Sequence, residues 1–170
     1  LDSFIPVGMS EELIVQIGLM PGLRIGAVAV RTRPQSAVDA ALTAGRSRAD
    51  IVEVATASAV DRAIETGRIA VTTDLDALAG AGRVDVVIDA TGHPEAGAQV
   101  ALAAIRHGKH LVMLNVEADI TIGRLLKARA ERAGIVYTGA AGDEPAAAVE
   151  LVAFARALGL TVVAAGKGKN

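Results

Sequence analysis

The residues best suited to chemistry fall in short clusters, each placed directly after an apolar run. The most specific is Asp89-Ala90-Thr91-Gly92-His93-Pro94, a small-residue turn that leaves backbone room for a ribose and offers the Thr91 hydroxyl. Pro94 suits the first position of a helix, so helix capping by Thr91 over a tight glycine turn is the plainer reading. Arg31 and Arg33 close another apolar run. An acidic residue at such a place holds the ribose 2′-hydroxyl of NAD, whereas arginine accommodates the 2′-phosphate of NADP. No acid stands there, which favours NADP over NAD, although arginines on an exposed loop can be merely solvated. Two carboxylate pairs follow later runs, Glu117 with Asp119 and Asp143 with Glu144. They could order a substrate hydroxyl for hydride transfer or bind a divalent cation; at a helix N-terminus the dipole favours them without any function. Lys167 and Lys169 alternate with glycines near the end. A lysine there could polarise a carbonyl or take an alcohol proton, or belong to a solvated tail. His93 reads as a loop histidine, and His107 and His110, which flank Lys109, read as surface residues rather than metal ligands.

The elements that must position these clusters alternate between strand length and helical period. Strands are expected at Phe4 to Gly8, Leu23 to Val30, Ile69 to Thr73, Val84 to Ala90, His110 to Asn115, Ile135 to Thr138 and Thr161 to Ala165. Helices are expected at Ser10 to Met20, Gln35 to Ala44, Ala49 to Thr66, Asp74 to Ala79, Pro94 to His107, Ile120 to Ala133 and Asp143 to Leu158. Strands separated by helices imply right-handed crossovers and a parallel sheet covered on both faces. The expected fold is therefore α/β, a Rossmann-like doubly wound parallel sheet in three αβα layers. In such sheets ligands bind beyond the carboxyl ends of the strands, where the Asp89–Pro94, arginine, carboxylate and lysine clusters are expected and the His107–His110 group is not.

A dinucleotide fold should place G-x-G-x-x-G after its first strand, to bring backbone against the pyrophosphate. Here only Gly8-Met9 separates that strand from Ser10. Gly8 and Met9 are the cofactor-binding candidates at this point. Either the phosphate turn is absent, or the sequence joins two segments with a glycine loop omitted between residues 8 and 9.

Composition narrows the classes. The chain has 170 residues, 52% hydrophobic and 21% charged, which suits one domain with a substantial core. Phe4, Phe154 and Tyr137 are its only aromatic residues and its net charge is -2, so neither base stacking nor a basic field supports a nucleic-acid partner. It has no cysteine, hence no disulfide, thiolate site or cysteine nucleophile. The apolar runs fall well short of the ~20 residues that a membrane span needs. A cytoplasmic protein with a small-molecule substrate, and no membrane partner, is expected.

The segment VDVVIDATGHPEAGAQVALAAIRHGKHLVMLN, Val84 to Asn115, resembles the central part of homoserine dehydrogenases. NVEADITIG from Asn115 and AAGKGKN at the end are similar to a homoserine-dehydrogenase-like branch with a C-terminal SAF domain. Some members of that branch act as reductoisomerase-like enzymes on deoxyxylulose phosphate. The resemblance implies an NADP-linked oxidoreductase whose cofactor lies along Arg31, Thr91, Gly92 and Asn115, with Arg33, Ala90 and His93 beside it. It also implies a full glycine loop, further chain beyond Asn170 and a homo-oligomer. Ordinary members carry an Asn-Lys pair after the fifth strand, but here Asn115 is followed by Val116-Glu117, so the lysine's role would pass elsewhere, for instance to Lys167.

These readings lead to hydride transfer between NADP and a small hydroxy or keto compound, with Glu117, Asp143 or Lys167 positioning the substrate oxygen. A metal-assisted reductoisomerase and a non-catalytic dinucleotide-binding sensor are the alternatives.

Overall fold

A computed structural model describes residues 4–7, 11–140 and 144–166, and their side chains from residue 13 to 140 and from 147 to 166. The elements run β1 (Phe4–Val7), α1 (Glu11–Leu19), β2 (Ala27–Ala29), α2 (Pro34–Thr43), β3 (Ile51–Glu53), α3 (Ala57–Glu65), β4 (Ile69–Thr72) and α4 (Leu75–Ala79). They continue with β5 (Val86–Asp89), α5 (Pro94–Arg106), β6 (His110–Met113), α6 (Val116–Arg132), β7 (Tyr137–Gly139) and α7 (Glu144–Ala157). All pairings are parallel and the strand order is β3-β4-β2-β1-β5-β6-β7. This is the doubly wound, three-layer arrangement expected from the sequence.

Alternation along the strands builds two cores. Val28, Ile69, Val71 and Ile88 face α1 and α2, meeting Ile14, Ile17, Val38 and Ala41. Ala27, Ala29, Ala70 and Val87 point the other way, toward Val60, Leu78, Val100 and Leu126 of α3 to α6. Small alanines on that second face let helices lie close to the sheet. Closest of all is Gly97 in α5: a Cβ there would stand 2.5 Å from Asn115 Nδ2, 2.6 Å from the Ala118 Cβ and 2.7 Å from Asp89 Oδ2.

Two expected elements are corrected. Ala49 to Thr66 is not one helix but a single 3-10 turn (Arg48–Asp50), strand β3 and helix α3. Asp50 Oδ2 accepts from the Ser47 N–H (3.1 Å) and hydroxyl (2.8 Å), closing the turn. Ile51 leaves it extended, in register with Ile69 on β4. Thr56 then restarts a helix by accepting from the Ala59 N–H. The apolar period of the whole stretch fits a helix; two local caps override it.

Thr161 to Ala165 forms no strand, and Val163 is 94% exposed. β-propensity expresses itself only against a partner strand, and none lies beside this segment among the described residues. The sheet keeps seven strands because β3 enters as this one leaves. α6 also begins earlier than expected, at Val116, so Glu117 and Asp119 lie in its first turn. Helix α7 leaves Val149, Leu151 and Phe154 exposed, and Leu158 is exposed just beyond it.

At the far edge, Tyr137 donates its hydroxyl to Asp119 Oδ1 at 2.7 Å and so ties β7 to α6. Burial, then the Asp119 carboxylate, pushes this phenol well above the ordinary tyrosine value. Tyr137→Phe is expected to cost about 1 kcal/mol in urea unfolding. An unchanged midpoint would mean that this tie carries no stability.

Candidate functional site

β1 pairs with β2 on one side and with β5 on the other, Val7 aligning with both Ala29 and Asp89. The chain winds outward from β1 through β2 to the edge strand β3, fills in with β4 and crosses back to β5, which makes the carboxyl end of β1 the switch point where a crevice opens. A cleft of about 350 Å³ lies at this end of the sheet. Ala29, Val30 and Arg31 line it from the end of β2, Thr73 from just after β4 and Leu75 from the start of α4. Thr91 and His93 line it from the β5–α5 turn, and Ala96, Gln99 and Val100 from α5.

The β5–α5 turn is held from behind by one amide. Asn115 is 1% exposed and caps α6, its Oδ1 accepting from the Ala118 N–H at 3.0 Å. Its Nδ2 lies within 3.0 Å of Asp89 Oδ2 and within 2.9 Å of both Thr91 Oγ1 and the His93 carbonyl. An amide nitrogen has two hydrogens, so these three acceptors share two donors. Asp89, itself 0% exposed, accepts from the Thr91 N–H through its other oxygen at 3.0 Å. Burial raises the Asp89 carboxyl above its ordinary value, and the bonds from Thr91 and Asn115 oppose the rise. Gly92 crosses the turn with φ +69°, a left-handed conformation that a side chain would strain. The result is a rigid loop that presents Thr91 and His93 to the cleft.

The sequence-derived candidates divide accordingly. Arg31, Thr91 and His93 line the cleft together, and Ala90 and Gly92 complete their turn. Asn115 sits behind that turn with both ends of its amide bonded inside the protein. Thr91 is not the cap of α5, since His93 occupies the N-cap position. Arg33 is exposed at the N-cap of α2 and is not among the cleft-lining residues. Glu117 is exposed in the first turn of α6, also outside the lining. Gly8, Met9, Asp143 and Lys167 lie outside the described residues.

Of the two remaining histidines, His110 accepts the Val136 N–H through Nδ1 at 3.0 Å. His107 meets Asp76, whose carboxyl Arg106 and then His107 hold below its ordinary value. Among the described residues no three His, Asp or Glu side chains gather as a metal site.

Sequence reasoning passed over Thr73, Leu75 and Gln99. A signal for the last was present: Ala96, Gln99 and Val100 are spaced i, i+3, i+4 and share a helix face, so Gln99 interrupts an otherwise apolar stripe.

No curated protein matches the chain. Among solved structures it resembles a biliverdin reductase in complex with biliverdin and NADP+ from Synechocystis sp. PCC 6803, with TM-score 0.58 and 16% identity over 93% of this chain and 42% of that one. It also resembles an oxidoreductase from Bacillus cereus (TM-score 0.56, 17% identity, 91% of this chain and 39% of that one). A third is a homoserine dehydrogenase from Thiobacillus denitrificans (TM-score 0.54, 18% identity, 82% and 29%). At these identities the likeness is one of fold, and the chain spans less than half the length of each. The family model for the catalytic domain of oxidoreductase DRL matches residues 142–170. The model for the homoserine dehydrogenase NAD-binding domain matches residues 26–138, most of the sequence, and the chain belongs to that family.

Proposed function

We propose that the cleft binds NADP and that the domain serves an oxidoreductase transferring hydride between the nicotinamide and a small hydroxy or keto substrate. The observation that carries this reading is Arg31, which lines the cleft from the end of β2 where an NAD-selective fold places an acid. The apolar lining from Val30, Leu75 and Val100 suits a flat heterocycle, and the Thr91 hydroxyl suits a ribose. The dinucleotide, when bound, accepts or supplies the hydride. The protein's part is to hold it: Arg31 pairs with the 2′-phosphate, and the Asn115-braced turn keeps Thr91 and His93 fixed against it. Gly8 and Met9, next after β1 in the sequence, take the pyrophosphate side of this reading.

Glu117, Asp143 and Lys167 take the substrate side, positioning its oxygen and moving its proton. The likeness of residues 142–170 to a catalytic domain supports giving Asp143 and Lys167 that part. It also keeps open the metal-assisted reductoisomerase-like reading, in which carboxylates would hold a divalent cation; abolition of turnover by EDTA would select it. Association into a homo-oligomer, drawn from family analogy, is supported by the exposed apolar surface of α7.

Titration with NADPH and NADH, followed by nicotinamide emission, tests the cofactor. NADPH is expected to bind at least tenfold tighter, since a hydrogen bond to a charged group is worth about 1.5–3 kcal/mol. Arg31→Asp should erase or reverse that preference. Equal affinity for both cofactors in the unaltered chain would refute NADP selectivity, and no binding of either would refute the oxidoreductase reading.

A further inference from the structure

Resting on the dinucleotide reading above, we propose that Gln99 reads the edge of the adenine ring and so makes the cleft selective for an adenine dinucleotide. α5 leaves the sheet at His93 and runs back along it, with Ala96, Gln99 and Val100 facing the cleft. Six residues of helix advance about 9 Å, which puts Gln99 further along this wall, away from the turn that carries Thr91. Val100 beside it is buried, and Leu75 approaches from α4. These apolar groups offer contact to a planar base, while leaving its edge to whatever polar group is near.

Gln99 is that group. Adenine presents a donor, the N6 amino group, next to an acceptor at N1 or N7. Recognition of both at once calls for a planar side chain with an adjacent acceptor and donor, which a glutamine amide has. The other polar lining residues match less well. Arg31 has donors only, and Thr73 and Thr91 each offer a single oxygen. His93 belongs to the turn at the opposite end of the wall. The amide of Gln99 has no hydrogen-bond partner among the described residues, so a ligand would not have to displace one.

The experiment compares NADP+ with its 1,N6-etheno analogue, in which a fused ring covers N1 and N6, by calorimetric titration of the intact chain. The unaltered protein should bind NADP+ about tenfold tighter than the analogue. Gln99→Ala should bring the two affinities within about twofold by weakening NADP+. Gln99 is exposed and sits where alanine favours the helix, so the far-UV circular dichroism of this variant should match the parent. If neither compound binds the unaltered protein, the dinucleotide reading falls and takes this inference with it. If both bind equally well, or if Gln99→Ala keeps the preference, the cofactor site stands and the role given to Gln99 is overturned.

Discussion

Gly97→Ala will destabilise the fold by about 1–3 kcal/mol, although alanine is the better helix former. Two effects oppose each other at this position. Within α5, replacing glycine by alanine should gain about 0.8–1.0 kcal/mol. Against this, the new Cβ would stand within 2.7 Å of the Asn115 amide, the Ala118 methyl and the Asp89 carboxylate, closer than real contacts allow. All three belong to buried residues that are already bonded or packed, so α5 must move off α6 and β5. Overpacking of a filled core costs about 1–3 kcal/mol, and any loosened bond to buried Asp89 adds to that. The clash wins. Gly18→Ala in α1 is the matched control, since its Cβ would meet nothing within 4 Å, and it should gain up to about 1 kcal/mol. Urea midpoints by circular dichroism decide the matter. If Gly97→Ala gains stability as Gly18→Ala does, the close packing of α5 on α6 is not as described.

The second large effect concerns Asn115. Asn115→Leu removes the α6 cap and every donor that the amide supplies, leaving buried Asp89 and the His93 carbonyl short of a partner. Loss of a cap costs about 1 kcal/mol, and each of the two groups left unsatisfied about 1–3 kcal/mol; a total of about 3–7 kcal/mol is expected, with loss of cofactor affinity. Asn115→Asp separates the causes. It keeps an acceptor for the Ala118 N–H but faces a second carboxylate toward Asp89, whose own carboxyl is already raised by burial. Two carboxylates in one buried site cannot both ionise, so one folded-state pKa rises strongly. A folded value above the unfolded one stabilises fully below the ordinary aspartate range, about 3.9. That contribution is lost as pH climbs through the raised value. The gap between Asn115→Asp and the parent should therefore be widest at neutral pH and shrink as pH falls. A gap independent of pH would show that the two carboxylates do not meet.

Much of the fold was legible because its signals are local. Asp74, where the helix to Ala79 was expected to begin, caps α4 by accepting from the Asp76 and Ala77 N–H groups. Pro34 and Pro94 open α2 and α5. The strand at Val86–Asp89 and the turn after it stand where the apolar run ends. What failed depended on partners that periodicity does not name. Ile51–Glu53 becomes a strand because β4 is there to pair with, and Thr161 to Ala165 does not because no strand pairs with it among the described residues. The site followed the same rule. Arg31, Thr91 and His93 were found as residues that follow strands; Thr73 follows β4 in the same way but was taken into the expected strand, and Leu75 and Gln99 reach the cleft from helices. That Asn115 braces the turn rather than facing the cleft depends on a contact between residues more than twenty positions apart.

The central position of β1 has a consequence for the order in which the chain can be built. Phe4 pairs with Val86, so β1, once synthesised, gains its second neighbour only about eighty residues later. At roughly 5–20 residues per second, translation leaves that edge open for about 4–16 seconds. An unpaired apolar strand edge is a template for other chains. Until β5 emerges, the nascent protein therefore has a sticky half-sheet, and its yield should depend on what shelters it at the ribosome.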